Sequence, residues 1–181
     1  MNPPLWEWGH IAWFQEWWTV RNRQRHEGTR SASSGDGFAA SRLPHADALY
    51  NSSEVAHDSR WSLALPDFEH TQRYMADVMA HSLAQLQAAP DASDEALYFW
   101  RLVLQHETMH NEASVYMAQN LGVALPEALC VGHAMRCSDL TSRVRGLHIP
   151  AQTWTLGHCG PGFAFDNECA AYEVELAAFE I

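Results

Sequence analysis

Two histidines stand four residues apart in QHETMHNEA, His106 and His110, and a third, His10, stands in PLWEWGHIAWFQEWW. On a helix, positions four apart differ by only about 40° in direction, so both imidazoles of the pair project from one face, a turn apart. Such a pair chelates a divalent transition metal, which needs at least one more protein ligand. His10 is the natural candidate, because an unpaired polar ring inside an aromatic helix would be costly. Three neutral imidazoles leave coordination positions open for waters or substrates, and by donor type they suit iron, zinc or copper alike. Taken alone, an i, i+4 pair is as readily two solvated or locally hydrogen-bonded rings; His10 tips the balance toward metal. The other histidines have no comparable spacing.

HETMH also satisfies H-E-x-x-H, the zinc-metallopeptidase helix in which a glutamate activates water. The extended form of that motif wants a glycine at 113 and a histidine at 116, where Ala113 and Tyr116 stand, and no third acidic ligand follows on a later helix. Glu107 and Glu112 are not needed as ligands; Glu112 falls on the far side of the helix, where a salt bridge or a supporting contact suits it.

The elements that must position these rings can be read from periodicity and punctuation. Pro3 and Pro4 suit a first helical turn, and apolar residues keep helical spacing from 5 to about 20. Residues 27–41, EGTRSASSGDGFAAS, read as a flexible surface loop, and the following stretch to Pro66 as irregular. Asp67 caps a second helix with apolar Phe68, Met75, Val78, Met79, Leu83 and Leu86, stopped by Pro90. Ser93, followed by Asp94 and Glu95, opens a third helix that carries the histidine pair and stops at Gly122. From about 143 the texture changes to strands, GLHIPAQTWTLG and YEVELAAFEI, around the loop HCGPGFAFDNECA. About 40 residues of such β structure are too few to close a core, which implies a truncated second domain.

A chain of 181 residues with 47% hydrophobic and 18% charged residues can bury a core and is not a disordered tail. Its net charge of -11 excludes a general nucleic-acid or anionic-membrane binder, which needs clustered Lys and Arg. With no signal-like N-terminus and no span of roughly 20 apolar residues, a cytoplasmic location and no membrane partner are expected. Cys130, Cys137, Cys159 and Cys169 form no CxxC pair, which makes a disulfide framework or a zinc knuckle improbable. The stripe Trp6, Trp13, Trp17 and Trp18, with Trp100, reads as a buried bundle face, with a pocket wall as the alternative.

Taken together and in order, PLWEWGHIAWFQEWW, VAHDSRWSLALP, QHETMHNEA and IPAQTWTLG…GFAFDNE…YEVELAAFEI resemble the sulfoxide synthase family of ergothioneine biosynthesis, and within it the selenoneine synthase branch. The resemblance covers nearly the whole chain apart from the Gly/Ser loop. It implies a mainly α fold: a DinB-like four-helix bundle over 1–135, followed at 143–181 by the truncated start of a mixed α/β, formylglycine-generating-enzyme-like (C-type-lectin-like) domain. It implies Fe(II) held by His10, His106 and His110, the three that spacing also selects. The implied reaction joins sulfur or selenium from a donor to the imidazole of hercynine with dioxygen, and this portion alone is expected to be inactive.

Two departures bear on the donor. Sulfur-using members grip the carboxylates of a thiol peptide with two arginines three residues apart; His57 and Arg60 take those positions here, so the first arginine is gone. Losing a bidentate carboxylate clamp argues for a less anionic donor such as a selenosugar. A salt bridge to Asp58 or Glu54 is the structural alternative for Arg60. Met109 stands where some relatives place a polar residue that touches the imidazole substrate, with core packing as its other reading. Asp166 and Asn167 are expected to order their turn. Other functions consistent with three histidines are a zinc-dependent DinB-type thiol transferase or hydrolase, and a non-enzymatic module with structural histidines.

Overall fold

The computed structural model describes residues 1–89, 91–126 and 146–181. The chain is mainly α and divides into two compact units, Met1–Val123 and Ala124–Ile181. No described helix is long and apolar enough to cross a membrane.

In the first unit three long helices and one short one surround an aromatic core. Helix α1, Pro4–Gln15, begins with Pro4 at its first position and runs on as a π-helical segment, Glu16–Arg21. A 3-10 helix, Arg25–Arg30, follows, then the short α2, Ala46–Tyr50, and a second 3-10 helix, His57–Ser62. The last three fall in sequence read as loop or irregular, because five or six residues are too short to show a period. Helix α3, Phe68–Gln87, is capped by Asp67, whose side chain accepts from the His70 amide at 2.8 Å. Helix α4, Asp94–Asn120, is capped by Ser93. It ends in a Schellman turn, with Val123 N–H on Ala118 O at 2.9 Å, Gly122 N–H on Gln119 O at 3.1 Å and Gly122 at φ +69°. Pro90 lies outside the described residues.

The core comprises Trp6, Ala12, Trp13, Ala46, Tyr50, Tyr74 and Val78. On α3 the buried face is Thr71, Tyr74, Val78 and Ser82, while Phe68, Met79, Leu83 and Leu86 are exposed. The apolar pattern of α3 therefore misplaces its inward face by part of a turn. The inward polar groups find partners: Thr71 Oγ1 donates to Asp67 O at 2.9 Å, and Thr19 and Ser82 hydroxyls meet at 2.8 Å. Glu16, wholly buried, accepts from Tyr74 Oη at 2.7 Å, Ser41 Oγ at 2.6 Å and Arg42 N at 2.6 Å.

The end of the Gly/Ser segment makes contacts with the helix that precedes it. Ala39 N–H bonds Arg21 O and Arg23 N–H bonds Gly37 O, both at 2.9 Å, and Phe38 stacks on Trp17 at 4.6 Å. Gly28, at φ +57°, passes so close to α4 that a Cβ there would lie 3.1 Å from the Glu95 backbone.

In the second unit β2, Gln152–Leu156, pairs antiparallel with β3, Tyr172–Leu176, in the register Trp154 to Val174. The two-residue strands β1, His148–Ile149, and β4, Phe179–Glu180, form a second antiparallel pair. In the connection from β2 to β3, Asp166–Glu168 makes a 3-10 turn in which Asp166 Oδ1 accepts from Asn167 N at 3.0 Å. Cys159 and Cys169 are free thiols; Cys130 and Cys137 lie outside the described residues.

Candidate metal centre

Helix α2 fixes the site by holding one side of α1. Trp6 Nε1 donates to Leu49 O and Trp13 Nε1 to Asp47 Oδ1, each at 2.7 Å. Asp47 also takes a bidentate contact from Arg21 at 2.6 and 3.0 Å. The Arg21 hydrogen bonds hold the Asp47 carboxyl below its ordinary range, against the opposing effect of burial. Gly9 lets the two helices meet: a Cβ there would sit 2.2 Å from the buried Tyr50 ring. With α2 so placed, the Tyr50 carbonyl accepts from His10 Nδ1–H at 2.8 Å.

His10 is 3% exposed and stacks on Trp6 at 4.8 Å and on Trp13 at 5.9 Å. His106 lies face to face with Phe14 at 3.6 Å. His110 sets its Nδ1 against the carboxylate of Glu7, which is buried on α1. Ring centroids are 5.1 Å apart for His10 and His106, 5.0 Å for His10 and His110, and 4.4 Å for His106 and His110. One donor nitrogen from each ring falls within 4.8 Å of the others, so the group could hold a metal ion.

The donor set fits such an ion. His106 Nε2 and His110 Nε2 lie 3.2 Å apart, close to the ~3.0–3.4 Å that separates two nitrogens each about 2.0–2.1 Å from one ion. The same distance would serve a hydrogen bond between the two rings in the metal-free chain. Burial pushes His10 down to about 4 and His106 to about 3, and the neighbouring imidazoles add to both shifts. Both rings are therefore neutral at physiological pH and keep a lone pair for a metal. For Glu7, burial acts to raise the carboxyl, but hydrogen bonds from His110 and Asn2 outweigh it and hold the group below its ordinary value. Among the described residues the three-histidine group includes no carboxylate ligand. Glu107 instead lines an apolar cavity of about 320 Å³ with Trp8, Met75 and Met79.

The remaining anticipated site residues are held in different settings. Arg60 is buried, its guanidinium 3.9 Å over the Trp6 ring, donating to Val55 O at 3.1 Å and Asn2 Oδ1 at 2.9 Å. Among the described residues it makes no salt bridge with Asp58 or Glu54, because the charge turns inward onto Trp6. His57 lines a cavity of about 300 Å³ beside Glu7, Tyr116 and Asn120. Met109 is half exposed, which removes the core-packing reading. Sequence reasoning missed Glu7, Tyr50 and Gly9. Only Glu7 carried a signal, an acidic residue one helical turn before His10 in an otherwise aromatic segment.

No family model matches the chain. It is similar over its whole length to two curated proteins named hercynine oxygenase, one from Mycolicibacterium smegmatis (27% identical over 183 residues) and one from Mycobacterium tuberculosis (27% over 184). The chain spans about two fifths of the length of these relatives, 39% and 40% respectively.

Proposed function

We propose that this chain is the metal-holding helical part, and the start of a second, formylglycine-generating-enzyme-like domain, of an Fe(II)- and O2-dependent oxidoreductase acting on hercynine. The observation that carries the reading is the convergence of His10, His106 and His110, in a chain similar end to end to two hercynine oxygenases. The chemistry that ferrous iron supplies at such a site is the oxidative joining of sulfur or selenium to the hercynine imidazole. The protein's share is orientation and exclusion of water. Tyr50 O keeps His10 Nδ1 protonated and its Nε2 bare, while Trp6, Trp13 and Phe14 shield the ligand rings from water.

The donor is proposed to be a selenosugar in preference to an anionic thiol peptide. His57 stands where the sulfur-using pattern has an arginine, and Arg60 already spends its donors on Asn2 and Val55. Both features leave a carboxylate poorly gripped. The cavity beside His57 supports that residue as a donor contact, and the exposure of Met109 leaves it free to meet the imidazole substrate.

The test uses the natural full-length protein, purified anaerobically with ferrous iron and given hercynine, oxygen and either a selenosugar or a thiol peptide. Selenosugar-dependent turnover that disappears in the His106→Ala, His110→Ala double variant is the expected result. Turnover with the thiol alone moves the reading to ergothioneine synthesis. Stoichiometric zinc with no oxygen uptake from any donor overturns it in favour of a zinc-dependent transferase or hydrolase.

A further inference from the structure

Glu7 is 3% exposed, on a helix whose other buried residues are Trp6, Gly9, His10, Ala12 and Trp13. Taking a carboxylate out of water costs several kcal/mol unless hydrogen bonds and charge replace the solvent. Glu7 has two such partners, one on each oxygen. Asn2 Nδ2 donates to Oε1 at 2.5 Å, and His110 Nδ1 meets Oε2. The amide of Asn2 is itself oriented, because Arg60 Nη1 donates to its oxygen at 2.9 Å and leaves only its NH2 to face Glu7. No lysine or arginine pairs with Glu7 among the described residues.

That arrangement has a direction. A carboxylate accepts, so the proton between Glu7 and His110 sits on Nδ1, and in the tautomer that could bind a metal the lone pair is on Nε2. Nε2 is the atom that points at His106 Nε2, 3.2 Å away. His10 reaches the same tautomer through a neutral acceptor, the Tyr50 carbonyl, whereas His106 has an aromatic face, Phe14, as its close neighbour. The three rings are thus supported unequally, and His110 alone has a full negative charge behind it.

We propose that Glu7 is a positioning residue of the metal centre: it fixes the tautomer and orientation of His110 and places a buried negative charge behind that ligand. The proposal rests on the reading of the three histidines as a metal site. A carboxylate behind a ligating imidazole makes the nitrogen in front a better donor to a divalent cation, and losing such a partner lowers metal affinity on the order of 10–100-fold. Asn2 acts one step further out, so its removal is expected to cost less.

The experiment is titration of the natural full-length protein with Co(II), read by isothermal calorimetry and by the visible d–d spectrum, for wild type, Glu7→Gln and Glu7→Leu. Glu7→Gln keeps an acceptor oxygen without the charge; Glu7→Leu removes both. Affinity falling in the order wild type, Gln, Leu, by on the order of 10-fold or more for Leu, with a shifted d–d band in both variants and unchanged far-UV circular dichroism, is the expected result. A Glu7→Gln variant that binds Co(II) within about twofold of wild type with an identical spectrum overturns the proposal, and does so even if Glu7→Leu fails to fold. Wild-type chain that binds no Co(II) overturns the metal-site reading itself, a different failure from tight wild-type binding that ignores Glu7.

Discussion

Helices α1 and α4 supply the two sides of the candidate metal centre, and they are held in very different ways. On α1, Trp6, Glu7, Gly9, His10, Ala12 and Trp13 are all buried, and four of them make hydrogen bonds to other elements. On α4, more than twice as long, only Phe99 and Met117 are buried, and Leu104, Met109, Val115 and Tyr116 are exposed. The His106 and His110 rings are oriented chiefly by what α1 presents to them, Phe14 and Glu7. A preformed ligand on one side faces a more loosely packed pair on the other, so a bound ion would act as a tie between two helices that share few other buried groups.

Removing histidines from each side in turn tests how differently the two helices are held. His10→Ala and His106→Ala are each expected to lower Co(II) affinity by on the order of 100-fold or more, since two imidazoles remain of three. Thermal melting of the metal-free variants separates the helices. His10→Ala should also lower stability by about 1–3 kcal/mol, through the abandoned Tyr50 carbonyl, whereas His106→Ala, on the looser helix, should change it little. Equal losses would erase the distinction drawn between α1 and α4.

Acid should act most strongly on the buried rings. His10 and His106 titrate well below the free value of 6.5, so between 6.5 and their folded values the unfolded chain binds more protons than the folded one. Stability of the metal-free chain is therefore full above about pH 6.5 and is lost as pH falls toward about 4 for His10 and about 3 for His106. At about 1.4 kcal/mol per unit the loss at His10 is on the order of 3 kcal/mol. Urea titrations at pH 7.0 and 4.5 measure it, and a His10→Gln chain should lose less over that interval.

Metal itself should sharpen the contrast. At about a hundred times Kd, a ligand that binds only the folded chain stabilises it by about 2.7 kcal/mol. In hydrogen exchange, the added protection should fall more on the amides of α4 around 106–110 than on those of α1. Uniform protection of both helices would show α4 to be as firmly held without metal as α1.

A smaller effect is expected from Gly9→Ala. The added methyl would lie 2.2 Å from the fully buried ring of Tyr50, and overpacking of this kind costs about 1–3 kcal/mol. Because it displaces Tyr50 from His10, Co(II) affinity should fall with stability. The exposed Arg42 and Asp77 pair marks the low end: Arg42→Ala should cost no more than about 1 kcal/mol and leave Co(II) binding unchanged.

Much of this fold was legible in local sequence. The caps Asp67 and Ser93, the stop at Gly122 and the strands around the FAFDNE turn follow from backbone chemistry within a few residues. The inward face of α3 was not, because its buried positions include Thr71 and Ser82, which earn their place by hydrogen bonds that hydropathy does not register. Nor were the contacts of Ala39 with Arg21 and of Phe38 with Trp17, which depend on partners in another element.

The sequence by itself determined that His106 and His110 share a helical face, since a rise of about 1.5 Å and a turn of about 100° per residue allow nothing else once α4 forms. It also pointed to His10, as a polar ring in an aromatic helix. Only the tertiary structure decided that these rings meet, that Tyr50, 40 residues from His10, and Glu7, 103 residues from His110, turn two of them to face one centre, and that Arg60 points inward. The reason is that helix periodicity constrains neighbours along one element, whereas contacts between elements depend on which faces pack and at what register, and a 2.2 Å conflict avoided at Gly9 settles that register here.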